Sequence, residues 1–302
     1  MPTCRPGICR ELDERGSLRR HPPLSATRYL LSDIVSRGRR NGHGKLMVVD
    51  IKRAFLHGLC TRSICIELPG SESEGGKYVG KLVRALYGTR DAPLAWLTVV
   101  KSVMKDMGFS ECKVTNGVFT HPERNIRVVV HVDDFLLSGE QHQLSWFQDQ
   151  MAKKYELKVQ TAGWSQGDNH ELQFLGRVIR LTQTGIELEG DDKHVELMTK
   201  EWDMDYCNPV ATPYVKPATG VGSFTDPASE AKDMSNADAT CYRRAAARIN
   251  YVALDRPDLS FASRIASSSM SSPKEGDDQM IKRIIRYLKG KAKSGYQVPI
   301  PK

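Results

Sequence analysis

Residues 126–138 read Ile-Arg-Val-Val-Val-His-Val-Asp-Asp-Phe-Leu-Leu-Ser. Two apolar runs, rich in β-branched residues, are broken by a pair of aspartates. Runs of this kind bounded by turn formers mark buried strands, and two so close together read as a tight hairpin. A second stretch in the same style, Leu46-Met47-Val48-Val49-Asp50-Ile51, carries a third aspartate near its end. Around these strands the apolar spacing changes period. Ser25 can cap a helix with Leu30, Ile34 and Val35 on one face. Ile64, Ile66 and Leu68 alternate as a half-exposed strand does. From about Pro93 a helix carries the stripe Trp96, Val99, Val100, Val103, Met104 and Met107, and another places Leu144, Phe147, Met151 and Tyr155 on one side. A strand around 172–181, a turn at 183–185 and a helix near 192–205 follow. Strands and helices alternate irregularly, which predicts an α+β fold rather than a regular β-α-β series.

Outward from this core the composition shifts twice. Residues 1–22 are Arg-rich and poor in bulky apolar side chains, the pattern of a disordered segment. Between 207 and 239, Pro209, Pro213, Pro217 and Pro227 with interspersed Gly, Ser and Asp read as an irregular linker between two packed units. Residues 240–290 read as helical, ending in a strongly basic helix at 277–290. The expected division is therefore 1–22, 23–206, 207–239 and 240–302.

The chain has 302 residues, with 44 Lys plus Arg against 36 Asp plus Glu, net +8 and pI about 9.1. That balance favours a polyanionic partner, nucleic acid first. The seven cysteines (4, 9, 60, 65, 112, 207 and 241) contain no C-x-x-C pair and read as free thiols, with no zinc set. No apolar run approaches membrane-spanning length and no signal-peptide core opens the chain, so an intracellular protein with no membrane partner is expected.

The chemistry rests on Asp50, Asp133 and Asp134. A carboxylate among Val and Ile is costly unless something positive meets it. Two of them ~4 Å apart repel by roughly 4 kcal/mol at an effective dielectric near 20, so they call for a shared cation. Oxygen donors of this kind suit magnesium, which keeps waters and accepts substrate phosphates. Two such ions can serve a phosphoryl or nucleotidyl transfer.

Six collinear segments extend this reading. Val49-Asp50-Ile51-Lys52-Arg53-Ala54-Phe55-Leu56-His57-Gly58 resembles the D-V-K-T-A-F-L-N-G segment of copia-type retrotransposon reverse transcriptases. Residues 86–96, Leu-Tyr-Gly-Thr-Arg-Asp-Ala-Pro-Leu-Ala-Trp, are similar to that family's L-Y-G-L-K-Q-A-P-R-A-W. His131-Val132-Asp133-Asp134 resembles its Y-V-D-D box, and Phe174-Leu175-Gly176 its F-L-G segment. Arg256-Pro257-Asp258-Leu259-Ser260-Phe261-Ala262 and Arg286-Tyr287-Leu288-Lys289-Gly290 resemble R-P-D-I-S-F-A and R-Y-L-K-G.

The resemblance implies a right-hand polymerase palm with partial fingers and the start of a thumb in 23–206, and a helical thumb or connection region in 240–302. It implies RNA-directed DNA synthesis with two Mg2+ ions (Mn2+ able to substitute), held by Asp50, Asp133, Asp134 and the backbone of Ile51. Ile51, Arg53 and Ala54 would line the triphosphate, and Phe55 would be the steric gate under the sugar. Tyr87, Gly88, Arg90 and Val132 would contact the incoming nucleotide and the template base. Phe174, Leu175 and Gly176 would hold the primer terminus. The implied partners are an RNA template, a DNA primer, their hybrid, dNTPs, and the integrase and ribonuclease H domains of a polyprotein.

Departures set a second expectation beside the first. His131 stands where the family has Tyr, Arg90 where it has Lys, and Asp91 where it has Gln. The family's basic fingers hairpin upstream of Asp50 is expected to be absent here, or replaced by the unrelated residues 1–22. At ~6 Å from a phosphate, Asp91 would cost roughly 3 kcal/mol. A catalytically weak or inactive remnant that only binds RNA–DNA or other nucleic-acid duplexes, in a salt-sensitive way, is therefore the alternative. For Lys282, Arg286 and Lys289 on the last helix, and for Arg243, Arg244 and Arg248, a solvated face and a duplex-backbone contact both remain open.

Overall fold

The computed structural model describes residues 22–38, 44–68, 78–190, 193–216, 232–291 and 295–299. The expectation for 1–22 thus lies outside the described residues except at Pro22. In chain order the elements are α1 (Leu24–Gly38), β1 (Gly44–Ile51), β2 (Cys65–Glu67), β3 (Val79–Lys81), α2 (Ala92–Asp106), β4 (Ser110–Glu111), β5 (Val118–His121), β6 (Ile126–His131), β7 (Asp134–Glu140), α3 (Gln141–Ala152), β8 (Leu157–Gly163), β9 (Glu171–Phe174), β10 (Arg177–Leu181), β11 (Gly185–Glu189), α4 (Lys193–Glu201), α5 (Asn236–Ala253), α6 (Ser260–Ser268), α7 (Asp278–Gly290) and β12 (Tyr296–Pro299). Helix and sheet are mixed, as the irregular alternation predicts.

The chain forms two compact units. The first holds the residues up to Leu175, with Leu181–Ile186 and the residues from Val298; the second holds Gly176–Arg180 and Glu187–Gln297. In the first unit an antiparallel sheet runs in the order β4-β5-β6-β7-β1-β8. Side chains alternate across a strand, and the two faces of β1 differ accordingly. Met47, Val49 and Ile51 join Val128, Val130, Phe135 and Leu137 in a core closed by Trp96, Val100 and Met104 of α2 and by Leu144, Phe147 and Met151 of α3. The helical stripes read from the sequence are the ones buried here. On α1, Leu30, Leu31, Ile34 and Val35 are buried. The helix starts at Leu24, so Ser25 lies inside it and not at its cap.

The strand expected over 172–181 is two strands. Leu175 (φ 52) and Gly176 (φ 71) are both left-handed, which breaks one extended run into β9 and β10.

The second unit packs α4 to α7 around Met198, Tyr242, Ile249, Leu259, Ile281, Ile284 and Leu288. The Pro-rich segment does not mark the division between units. Cys207, Val210 and Tyr214 pack against this helical core, and α5 already begins at Asn236; residues 217–231 lie outside the described residues. These three side chains are enough to dock residues 207–214.

The basic stripe on α7 is engaged within the unit. Arg283 donates to the Thr212 hydroxyl (3.0 Å), Arg286 to the Asn208 carbonyl (2.7 Å) and Lys289 to the Asp205 carbonyl, while Lys282 pairs with Asp278 (2.7 Å). On α5, Arg243 reaches the carbonyl of Met270 (2.8 Å), and Arg244 and Arg248 both meet Glu201. These contacts tie loops and helices of the unit together, while the side chains of Arg244 and Lys282 stay 52% and 49% exposed. Two of the motif segments also meet here. The Asp258 carboxylate accepts from Arg256 (2.8 Å) and from the Tyr287 hydroxyl (2.6 Å). Burial works against charge on Asp258, yet these hydrogen bonds hold its carboxyl below the usual range.

Candidate active site

Asp50 lies one residue from the end of β1, between two neighbours in register: Asp134 on β7 and Lys158 on β8. Asp134 in turn lies across from His131 on β6. Directly opposed residues of an antiparallel sheet project to the same side. His131, Asp134, Asp50 and Lys158 therefore form a transverse row, two carboxylates flanked by a histidine and a lysine.

Asp133 occupies the second position of the two-residue turn between β6 and β7. Its carbonyl accepts the Ile51 amide at 3.1 Å, tying the turn to the end of β1. The first turn position is Val132, with φ 61. Hairpin turns of this length want a left-handed residue, normally Gly or Asn. A β-branched residue there costs about 1–2 kcal/mol, which the surrounding structure must offset. The Trp96 indole N–H does part of that, donating to the Val132 carbonyl at 2.6 Å.

The carboxylates oppose one another's charge. Burial, then the neighbouring Asp50, raises the Asp133 carboxyl above its ordinary range. Burial first, then Asp133 and Asp50, pushes Asp134 up to about 6. The folded chain thus binds a proton at Asp134 more tightly than an unfolded aspartate does, and stability falls as pH rises from about 4 to about 6. Asp134→Asn should remove that loss: its melting temperature should exceed the parent's at pH 7.5 and match it near pH 4. Thermal unfolding across this range checks it, and equal melting temperatures at pH 7.5 would refute it.

Asp50, Asp133 and Asp134 are the side chains here that could hold magnesium. Among the described residues no three His, Cys, Asp or Glu side chains are gathered into a cage complete by itself. Magnesium at phosphoryl-transfer sites takes one or two carboxylates and completes its shell with water and substrate phosphate. A mutually repelling carboxylate set at a strand end fits that requirement.

The other residues expected at the site are placed as follows. Ile51 and Ala54 are buried, and Arg53 is exposed with φ 56 as the chain leaves β1 for the short 3-10 helix Ala54–His57. The Phe55 ring lies 4.5 Å from the Tyr87 ring, which joins the 51–55 segment to the 86–90 turn. Tyr87 is 49% exposed, Gly88 has φ 93 with open space beside it, and Arg90 is exposed. Phe174 is buried at the end of β9, and Leu175 and Gly176 make the turn that follows.

Asp91 does not stand as an isolated charge, because Arg62 forms an ion pair with it. The charge expected to face a phosphate is offset from much closer by a guanidinium. Sequence reasoning missed Arg62 and Lys158, and took Trp96 for an ordinary member of an apolar stripe. A buried Trp needs a partner for its N–H; that signal was present, but the partner's identity was not.

The reverse transcriptase (RNA-dependent DNA polymerase) family matches residues 30–216, more than half of the 302 residues, and the chain belongs to it. By family it is an RNA-dependent DNA polymerase. It is 29% identical over 254 residues to the Retrovirus-related Pol polyprotein from transposon RE1 of Arabidopsis thaliana, covering 82% of this chain and 16% of that protein. It is 28% identical over 253 residues to the corresponding polyprotein from transposon TNT 1-94 of Nicotiana tabacum, covering 80% and 18%. The chain spans less than a fifth of the length of either relative. Among solved structures, apo telomerase from Candida tropicalis truncated from its C-terminal domain is similar at TM-score 0.36 and 12% identity, over 55% of this chain and 40% of that one. A likeness that low carries no argument. No helix among the described residues is long and apolar enough to cross a membrane.

Proposed function

We propose that the chain is the catalytic core of an RNA-directed DNA polymerase that extends a DNA primer on an RNA template. In this reading the six-stranded sheet with α1 to α3 is the palm with partial fingers, and the helices of the second unit are thumb or connection. The observation that carries it is the register of Asp50 against Asp134, with Asp133 on the adjoining turn. Asp50, Asp133 and the Ile51 backbone would hold two Mg2+ ions, with Mn2+ able to replace them, and Asp134 would be the third carboxylate. Such ions, when bound, would make the primer 3′-hydroxyl more acidic and neutralise charge on the departing pyrophosphate.

The chain's own residues orient the reactants. The backbone from Ile51 to Ala54 lines the triphosphate, and Tyr87, Gly88, Arg90 and Val132 meet the nucleotide and the template base. Phe174, Leu175 and Gly176 steady the primer end. Phe55, backed by Tyr87 at 4.5 Å, closes the space a ribose 2′-hydroxyl needs. Phe55→Val should raise ribonucleotide incorporation relative to deoxyribonucleotide by at least about tenfold; a ratio of the two kcat/KM values equal to the parent's would refute the gate. Integrase and ribonuclease H domains of a polyprotein are the proposed covalent neighbours.

The test is Mg2+-dependent primer extension by the full chain on an RNA template. Template-directed incorporation is expected. Asp91→Gln should change its rate by no more than about threefold, since Arg62 already offsets that charge. Hybrid binding without extension would favour the remnant reading, and absence of both would refute the family's activity for this chain.

A further inference from the structure

Among the described residues Trp96 is the largest fully buried side chain, at 1% exposure. For packing alone, an aromatic in this place has no use for a polar N–H. Yet that N–H is aimed at one particular carbonyl, Val132 at 2.6 Å. The next carbonyl along, that of Asp133, accepts from Ile51. Both carbonyls of the turn bearing the aspartates are thus held, one by α2 and one by β1. The turn has reason to need this, because Val132 enters it at φ 61.

The indole is itself fixed from several sides. Its ring lies 5.7 Å from Tyr155, edge to face, and 6.1 Å from His57. Gly58 lets α2 come close: a Cβ there would stand 3.0 Å from the Ala95 backbone and 3.1 Å from the Trp96 amide nitrogen. The position of α2, and through it of the indole, is therefore referred to the segment that follows Asp50.

We propose that Trp96 is a positioning residue for nucleotidyl transfer: its indole N–H clamps the Val132 carbonyl, holds the 132–133 turn in its left-handed entry, and so sets where Asp133 and Asp134 stand relative to Asp50. This rests on the polymerase reading above. It also makes a claim about the turn that stands without catalysis.

The test replaces Trp96 in the full chain by Phe and, separately, by 3-benzothienylalanine, which keeps the bicyclic shape and lacks only the N–H. Primer-extension kcat should fall about tenfold or more, on the scale of one hydrogen bond to a backbone carbonyl. The Kd for an RNA–DNA hybrid should stay within about twofold, since duplex contacts spread over many side chains. Amide hydrogen exchange should quicken at 131–135 while α2 keeps its protection. With Val132→Gly, which enters a left-handed turn unaided, the effect of Trp96→Phe on kcat should shrink below about threefold in a double-mutant cycle. Unchanged exchange at 131–135 in the benzothienyl variant, or loss of protection spread through α2 and β1, would overturn the proposal. If the unmodified chain extends no primer, the polymerase reading fails, and exchange at the turn still decides whether Trp96 holds it.

Discussion

Asp133→Asn should lower primer extension by on the order of 10³-fold, a loss of about 4 kcal/mol of transition-state stabilisation. The carboxylate stands on a turn that two other elements hold in place. Asn keeps the size and one oxygen but not the charge that recruits a cation. The substitution should not cost stability, because burial and Asp50 both oppose a charged Asp133. A melting temperature at or above the parent's, with extension lost, is the expected pair of results. Residual extension within tenfold of the parent would remove Asp133 from the metal site. Sites that gather like charges are less stable than the fold requires, and here that burden is visible before any substrate arrives.

The second large effect belongs to the second unit. Asp255→Ala should destabilise the second unit by about 3–5 kcal/mol. Its carboxylate and the Arg177 guanidinium are 2.8 Å apart, with side chains only 4% and 10% exposed. Removing the Asp255 carboxylate takes an ion-pair partner from a guanidinium held out of water, which costs more than the pair itself contributes. The double replacement Arg177→Met with Asp255→Leu should therefore recover most of the loss. Chemical denaturation of the three proteins checks both statements. A single-variant loss below about 1 kcal/mol would place the pair among screened surface contacts.

Much of the sheet and the catalytic candidates was legible because the code for them is local. Val128 to Val130 and Phe135 to Leu137 announce strands, and a turn is the simplest way to join them, so Asp133 and Asp134 fall at a strand end. Asp50 follows from the same argument. What was not legible depends on partners distant in sequence. Nothing near Asp91 says that Arg62 pairs with it, and nothing near Trp96 says that its N–H meets Val132. The basic residues of α7 looked available because charge patterning describes a helix surface and not what is laid against it. The division between units was misplaced for a related reason: prolines break regular structure without preventing Cys207, Val210 and Tyr214 from docking on a core.

The clamp on α7 bears on the order in which the second unit can be completed during synthesis. Arg286 and Asn208 are 78 positions apart, Arg283 and Thr212 are 71, and Gly290 lies against Pro209 closely enough that a Cβ would come within 2.8 Å. The stretch beside α4 leaves the ribosome long before the helix that holds it. Until α7 emerges, Met198 and Met204 lack the apolar wall supplied by Ile281, Ile284 and Leu288. Contacts this distant in sequence form late and leave apolar surface open to aggregation in the interval. A nascent chain halted before residue 278 should therefore need chaperone protection that one released past residue 290 does not.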